Sequence, residues 1–515
     1  MMPKFYITTP IYYANDVPHI GHAYTSIAAD VQARYHRLVG DDTFFLTGVD
    51  EHGAKVEEAA RLHDTTPQAY VDAIATHFRQ AWRELNVSND DFIRTTEPRH
   101  ERGVQAFLSK MYERGDIYRG VYEGLYCVGC EKYVTEEDLV DGLCPLHLKP
   151  PVLYSEENYF FRLSKYQDTL IRALQDESDP NHYVVEPAAR RNEVLGKLGV
   201  GLSDISISRA SLGWGIPLPF DPDQTTYVWV DALLNYVTAI GYLDDVPKFQ
   251  HWWPANLQLI AKDILWFHAI IWPAMLISVG LPPPRVVFAH GYFTIGGQKM
   301  SKTLGNVLSP RELVDKYGAD ATRYLMLSEF PFGTDGDISL RSFTARYNAN
   351  LANDLGNLLN RTLSMINRYC GGLLPAPDGD ETAGDRDLQS AARSAFSALD
   401  SGIRSLDYLQ ALDGIWQLVN RANKYVEENA PWALAKSDRQ RLGRVLYNLA
   451  ESLRLVALAI APFMPSTSAR ICEQFGIEAE AGRRDFSLAA QWGGLKPGIR
   501  VNPKPTPLFP RLDTE

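Results

Sequence analysis

Apolar residues fall into two patterns near the start of the chain. Lys4-Phe5-Tyr6-Ile7-Thr8-Thr9 is a short β-rich run that reads as a buried strand, and Tyr24, Ile27, Ala28, Val31, Tyr35 and Leu38 then recur at helical spacing. Asp42-Thr43-Phe44-Phe45-Leu46-Thr47-Gly48 is a second strand, so strand, helix and strand form a βαβ unit and predict a parallel sheet. Helical periodicity continues through residues 54–115, and residues 116–217 break into short segments punctuated by Cys144-Pro145 and Lys149-Pro150-Pro151. Strands are read again at Tyr227-Val228-Trp229-Val230, Leu257-Gln258-Leu259-Ile260 and Val286-Val287-Phe288-Ala289. The apolar run from Ile264 to Leu281 reads as a buried helix, because Asp263, His268 and Trp272-Pro273 interrupt it and make a membrane span a poor alternative.

Beyond residue 345 the strand pattern stops. Leu442, Val445, Leu446, Leu449, Leu453, Val456 and Ile460 mark one amphipathic helix among several. A loop rich in Gly, Pro and Asp runs from Gly371 to Asp385, and five prolines between Lys496 and Arg511 predict an extended tail that packs back on the surface. The fold class is therefore α/β, a Rossmann-like parallel-sheet domain (1–115 and 218–290) split by a connective insertion (116–217), then a lysine-loop and stem-contact region (291–345) and an all-α bundle (346–515).

Composition narrows the class. A chain of 515 residues with 45% hydrophobic content can bury several cores, and its net charge of −12 argues against a general DNA-coating protein while leaving room for a local RNA track. The start Met1-Met2-Pro3-Lys4 has neither an apolar signal core nor an Arg-rich presequence, which predicts a cytoplasmic protein. Five cysteines do not make a disulfide framework. Three of them stand in Cys127-Val128-Gly129-Cys130 and, thirteen residues on, Cys144-Pro145-Leu146-His147, a spacing that closes a tetrahedral structural Zn²⁺ site with three thiolates and one imidazole.

The candidate chemistry begins at Pro18-His19-Ile20-Gly21-His22, on the corner between the first strand and the first helix. Such corners at the carboxyl ends of parallel strands bind ligands, and His19 and His22 offer hydrogen-bond donors to phosphate there. Gly21 lets a nucleotide approach closely. Far downstream, Lys299-Met300-Ser301-Lys302-Thr303 follows Gly296-Gly297 and supplies two cations. Both motifs resemble the signatures of class I aminoacyl-tRNA synthetases. Thr9-Pro10-Ile11-Tyr12-Tyr13-Ala14-Asn15, Thr47-Gly48-Val49-Asp50-Glu51-His52-Gly53, Asp204-Ile205-Ser206-Ile207-Ser208-Arg209, Tyr227-Val228-Trp229-Val230-Asp231-Ala232 and Lys262-Asp263-Ile264 make the resemblance one to the methionyl-tRNA synthetases. Ala261 departs from the glycine common at that position of the family.

The resemblance implies attachment of L-methionine to initiator and elongator tRNA through methionyl-adenylate, with ATP and Mg²⁺. It implies His19, Gly21, His22, Asp263, Lys299 and Lys302 for ATP, His19, His22, Lys299 and Lys302 being the catalytic set. Asp50 is implied for the methionine ammonium group. The side-chain sleeve would be Ile11, Tyr13, Trp229, Ala232, Leu233, Tyr236, Ile264, His268 and Trp272. Spacing alone favours ordinary core packing for that stripe, and His268 requires a hydrogen-bond partner, for which Tyr13 is a candidate. Asn357, Arg361 and Trp432 match anticodon-reading positions, making the bundle an anticodon-binding domain, and the chain is expected to be a monomer. Another class I synthetase is the nearest rival, but residues 116–217 are too few for the editing insertion of the branched-aliphatic enzymes. A catalytically silent tRNA-binding relative is the second.

Overall fold

The structure is a computed structural model that describes residues 3–129, 132–134, 136–146, 148–210, 212–299, 308–477 and 486–513. Its centre is a sheet of seven strands in which every pairing is parallel. Tyr12–Tyr13, Asp42–Asp50, Lys4–Thr8, Leu257–Ala261, Val286–His290 and Val184–Glu186 follow one another across it, and Asp91–Arg94 pairs beside Asp42–Asp50. The chain leaves Lys4–Thr8 towards one side and returns to the other at Leu257–Ala261, so the order reverses between those two strands. A crevice forms at such a reversal, outside the strands' carboxyl ends. The first helix, Ile20–Val39, fills the crossover and buries Tyr24, Ile27, Ala28, Val31 and Tyr35 as its periodicity predicts, while Leu38 is only half-buried.

Several sequence expectations need correction. Tyr227-Val228-Trp229-Val230 is not a strand: the strand ends earlier, at Asp221–Thr226, and Val228–Leu233 is a helix. A short apolar run does not distinguish a strand from a buried helix, and here Asp231 is buried among its apolar neighbours. Asp91-Phe92-Ile93-Arg94 is a strand inside the span read as helical. Residues 116–217 do not all lie outside the parallel sheet, because Val184–Glu186 pairs with Val286–Phe288. Around that strand the insertion builds its own antiparallel sheet, with Ile117–Tyr126 paired along its length to Val152–Phe161.

The helical region holds Asn357–Cys370, Ala383–Arg404, Tyr408–Asn429, Arg439–Ile460 and Pro465–Phe475. Arg439–Ile460, expected to be amphipathic, is buried on every side from Val445 onward. The tail supplies the outer cover. Glu451 accepts the backbone N–H groups of Gly493, Gly494 and Leu495, and Arg454 donates to the carbonyls of Ala489 and Gln491. Further along, Arg470 donates to the Leu508 carbonyl and Tyr347 to that of Pro510, so the proline-rich segment does pack back on the bundle.

The first helix is anchored to the helical region by polar contacts. Tyr408 donates to the Ala28 carbonyl at 2.9 Å and Gln32 to the Ile403 carbonyl at 2.8 Å. Arg323, fully buried, pairs with Asp30 at 2.7 Å and donates to the carbonyls of Pro462 and Phe463. No helix among the described residues is long and apolar enough to cross a membrane.

Candidate active site

A cavity of about 380 Å³ lies in the crevice where the strand order reverses. Its wall begins just after the first strand, at Ile11 and at Tyr13 on the short strand Tyr12–Tyr13, passes over the start of the first helix (His19, Gly21, His22) and reaches Asp50 at the end of a neighbouring strand. The helix Val228–Leu233 contributes Trp229, Ala232 and Leu233, and Tyr236 follows. Asp263, Ile264 and His268 close it from beyond Leu257–Ala261.

The start of the first helix fixes both imidazoles. His19 caps it, its Nδ1 accepting the Gly21 N–H at 3.0 Å, while His22 Nδ1 accepts the His19 N–H at 3.3 Å. A neutral ring that accepts at Nδ1 carries its proton at Nε2. The rings stack at 3.6 Å between centroids. Burial, and then the neighbouring His19, hold His22 well below the usual imidazole range. The pair is therefore two donors rather than two fixed cations.

His268 finds its partner in Tyr236, not in Tyr13. Its Nδ1 lies 3.0 Å from the Ile264 carbonyl and so carries the proton, and Nε2 accepts the Tyr236 hydroxyl at 2.7 Å. The same arrangement recurs at His290, where Nδ1 faces the Gly291 carbonyl at 2.7 Å and Nε2 accepts from Thr25 at 2.6 Å. Burial pushes both imidazoles down to about 4. Tyr13 meets the turn at Gly53, which has a φ of 108° and where an added Cβ would come within 2.5 Å of the Tyr13 hydroxyl. Both the backbone angle and the close approach call for glycine.

Trp272 does not line the cavity. It is fully buried behind Tyr236, with ring centroids 6.0 Å apart. A wide π-type turn at Phe267–Ile271 changes the angular step of the helix, so equal four-residue spacing no longer puts Ile264, His268 and Trp272 on one face. Phe267, on that turn, stacks on Trp229 at 4.0 Å and was not anticipated. Nor were His290, Tyr292 and Phe293, which line the cavity just beyond a predicted strand. The signal for them was the polar His290 at the carboxyl end of an apolar run.

Other candidates lie elsewhere. Lys299 stands on a short strand antiparallel to Phe293–Ile295, whose first residue is in the cavity wall, and Lys302 lies outside the described residues. Cys127 and Cys144 are buried together with Val134, while Cys130 and His147 lie outside the described residues. Among the described residues the two cysteines share one small buried cluster, which fits their serving as two of the four expected metal ligands. In the bundle, Asn357 is exposed at the start of its helix, Arg361 pairs with Glu427 at 2.5 Å, and Trp432 is 44% exposed.

Comparison with known proteins places the whole chain. Residues 5–150 and 137–363 match the family described as tRNA synthetases class I (M), and residues 376–515 match the anticodon binding domain of methionyl tRNA ligase. The chain is 48% identical to the methionine–tRNA ligase of Caldanaerobacter subterraneus subsp. tengcongensis, covering 100% of this chain and 80% of that one. It is 46% identical to that of Thermotoga maritima, over 99% and 81%. Mycobacterium tuberculosis methionyl-tRNA synthetase in complex with methionyl-adenylate superposes with a TM-score of 0.93 at 40% identity, over 99% of this chain and 100% of that one. The free form of that protein gives 0.87 at 37% identity, over 100% and 99%.

The neutral imidazoles have a consequence for stability. His268 and His290 resist protonation in the fold until about pH 4, whereas in the unfolded chain they take up protons from about pH 6.5. Each therefore contributes stability that is present above pH 6.5 and is lost as pH falls towards 4, on the order of 3 kcal/mol at the acid end. Thermal melts across that range are expected to show a shallower acid loss for His290→Gln than for the unmodified protein.

Proposed function

The chain belongs to the class I methionyl-tRNA synthetase family, and from that premise we propose that the crevice cavity holds ATP and methionine side by side. The reaction is ATP-dependent: the methionine carboxylate attacks the α-phosphorus, pyrophosphate leaves, and a ribose hydroxyl of the tRNA terminal adenosine then takes the methionyl group as AMP departs. Neither step requires a covalent enzyme intermediate, so placement and charge stabilisation carry the acceleration. The observation that supports the reading most is that His19, Gly21, His22, Asp50, Asp263 and the expected sleeve residues other than Trp272 line one cavity.

His19 and His22 donate from Nε2 to the triphosphate. Asp263 accepts from the ribose hydroxyls, and Asp50 receives the methionine ammonium group. Ile11, Tyr13, Trp229, Ala232, Leu233, Tyr236, Ile264 and His268 form the thioether sleeve, with Trp272 bracing Tyr236 from behind. Lys299 and Lys302 neutralise charge that builds on the leaving pyrophosphate, and Mg²⁺ accompanies ATP. Zn²⁺ held by Cys127, Cys130, Cys144 and His147 would clamp the knuckle and takes no part in the chemistry. Asn357, Arg361 and Trp432 read the anticodon, an aromatic ring stacking an unpaired base beside an amide and a guanidinium group.

Pyrophosphate exchange assayed with each protein amino acid tests the catalytic reading. Exchange with methionine is expected, whereas none with any amino acid would leave only a tRNA-binding protein. Trp432→Ala is expected to reduce tRNA charging about tenfold or more, in line with the stacking energy of one base, and to leave exchange within about twofold. An equal loss in both would make Trp432 a stability residue. Elemental analysis of the purified protein is expected to find about one zinc per chain. Fully active, zinc-free protein would remove the metal from the account.

A further inference from the structure

Asp231 is fully buried, lies outside the cavity wall, and joins three segments of the catalytic domain. Its Oδ2 meets His52 Nδ1 at 2.6 Å, and its Oδ1 meets His100 Nε2 at 2.7 Å. On its far side His100 Nδ1 lies 2.8 Å from the Thr238 hydroxyl. His52 follows the strand Asp42–Asp50, His100 is on the helix Pro98–Glu113, and Asp231 is on Val228–Leu233. His100 is as deeply buried as the carboxylate, and His52 is buried nearly as fully.

Burial alone would raise the Asp231 carboxyl, but the two imidazoles outweigh it and hold the group below the usual carboxylate range. Burial likewise pushes His52 down, and Asp231 reverses this, leaving His52 above the ordinary imidazole value. A charge removed from water in this way is tolerated only while its hydrogen bonds are filled. The two bonds leave Asp231 towards different elements, so together they fix where its helix can sit.

That helix carries part of the cavity wall. Trp229 lies two residues before Asp231, Ala232 and Leu233 follow it directly, and Asp50 lies two residues before His52. The bridge thus sets the separation between the carboxylate read above as the ammonium site and the side chains read as the thioether sleeve. We propose that Asp231, bridging His52 and His100, is a positioning residue that sets the width of the amino-acid end of the cavity and with it the preference for methionine over longer side chains. The inference rests on the methionine-pocket reading.

The test is pyrophosphate exchange with methionine and with ethionine, its analogue one methylene longer, on full-length protein corrected for active fraction. In Asp231→Asn one side-chain oxygen still accepts, but the amide cannot accept from the second imidazole. The KM for methionine is expected to rise about tenfold, as for loss of a charge-assisted hydrogen bond, with the KM for ATP within twofold. The preference for methionine over ethionine is expected to fall several-fold. His100→Gln, whose amide still donates to Asp231, is expected to keep most of that preference, and His100→Leu to lose it. The proposal is overturned if Asp231→Asn and His100→Leu lower only the active fraction or the melting temperature, leaving the methionine KM and the preference unchanged. Trp229→Ala separates the two levels. If it too leaves the methionine KM unchanged, the pocket reading fails; if it raises the KM while Asp231→Asn does not, only the bridge fails.

Discussion

A helix that starts at the carboxyl end of a parallel strand has first-turn N–H groups with no helical acceptors, and this constraint organises the site. Here those groups are already engaged. The Ile20 N–H donates to the Leu308 carbonyl at 3.1 Å, the Gly21 N–H to His19 and the His19 N–H to His22. In a glycine-rich phosphate loop the backbone itself would meet the anion. With those backbone groups occupied, an anion at this corner is met by side chains, and the same bonds that cap the helix fix the tautomers of both imidazoles.

The first helix couples the two ends of the molecule. Its N-terminus borders the cavity, and its middle is held by Arg323, Tyr408 and Ile403 through Asp30, Ala28 and Gln32. Arg323 is fully buried and reaches the loop at Pro462–Phe463, so a shift of the helical region would strain the helix that carries His19 and His22. A buried charge that loses its partner is costly, which makes this junction rigid in effect. The imidazoles also divide by role: burial lowers the values of His22, His268 and His290, which border the cavity, whereas Asp231 raises that of His52 in the bridge behind it.

Much of this was legible in the sequence because the relevant residues are close together in it. His19 to His22 and the strand before them needed only local spacing, and the parallel sheet followed from one βαβ unit. What was not legible depended on neighbours distant in the chain. Tyr227–Val230 has the composition of a strand, but Val228–Leu233 is a helix whose Asp231 meets His52 and His100 from distant parts of the chain. His268 could have met any nearby hydroxyl, and the fold supplies Tyr236. Trp272 was misplaced by assuming a regular helical step through a π-type turn. Arg439–Ile460 looked amphipathic because the tail that covers its outer face lies some thirty-five to fifty residues away.

A crystal structure of the protein with methionine and a non-hydrolysable ATP analogue tests the central claim most directly. It is expected to place phosphate oxygens within hydrogen-bond distance of His19 Nε2 and His22 Nε2, with the methionine ammonium group at Asp50 in the same cavity. A nucleotide bound away from the start of the first helix, or imidazoles that meet the phosphates through Nδ1 after breaking the helix cap, would contradict it.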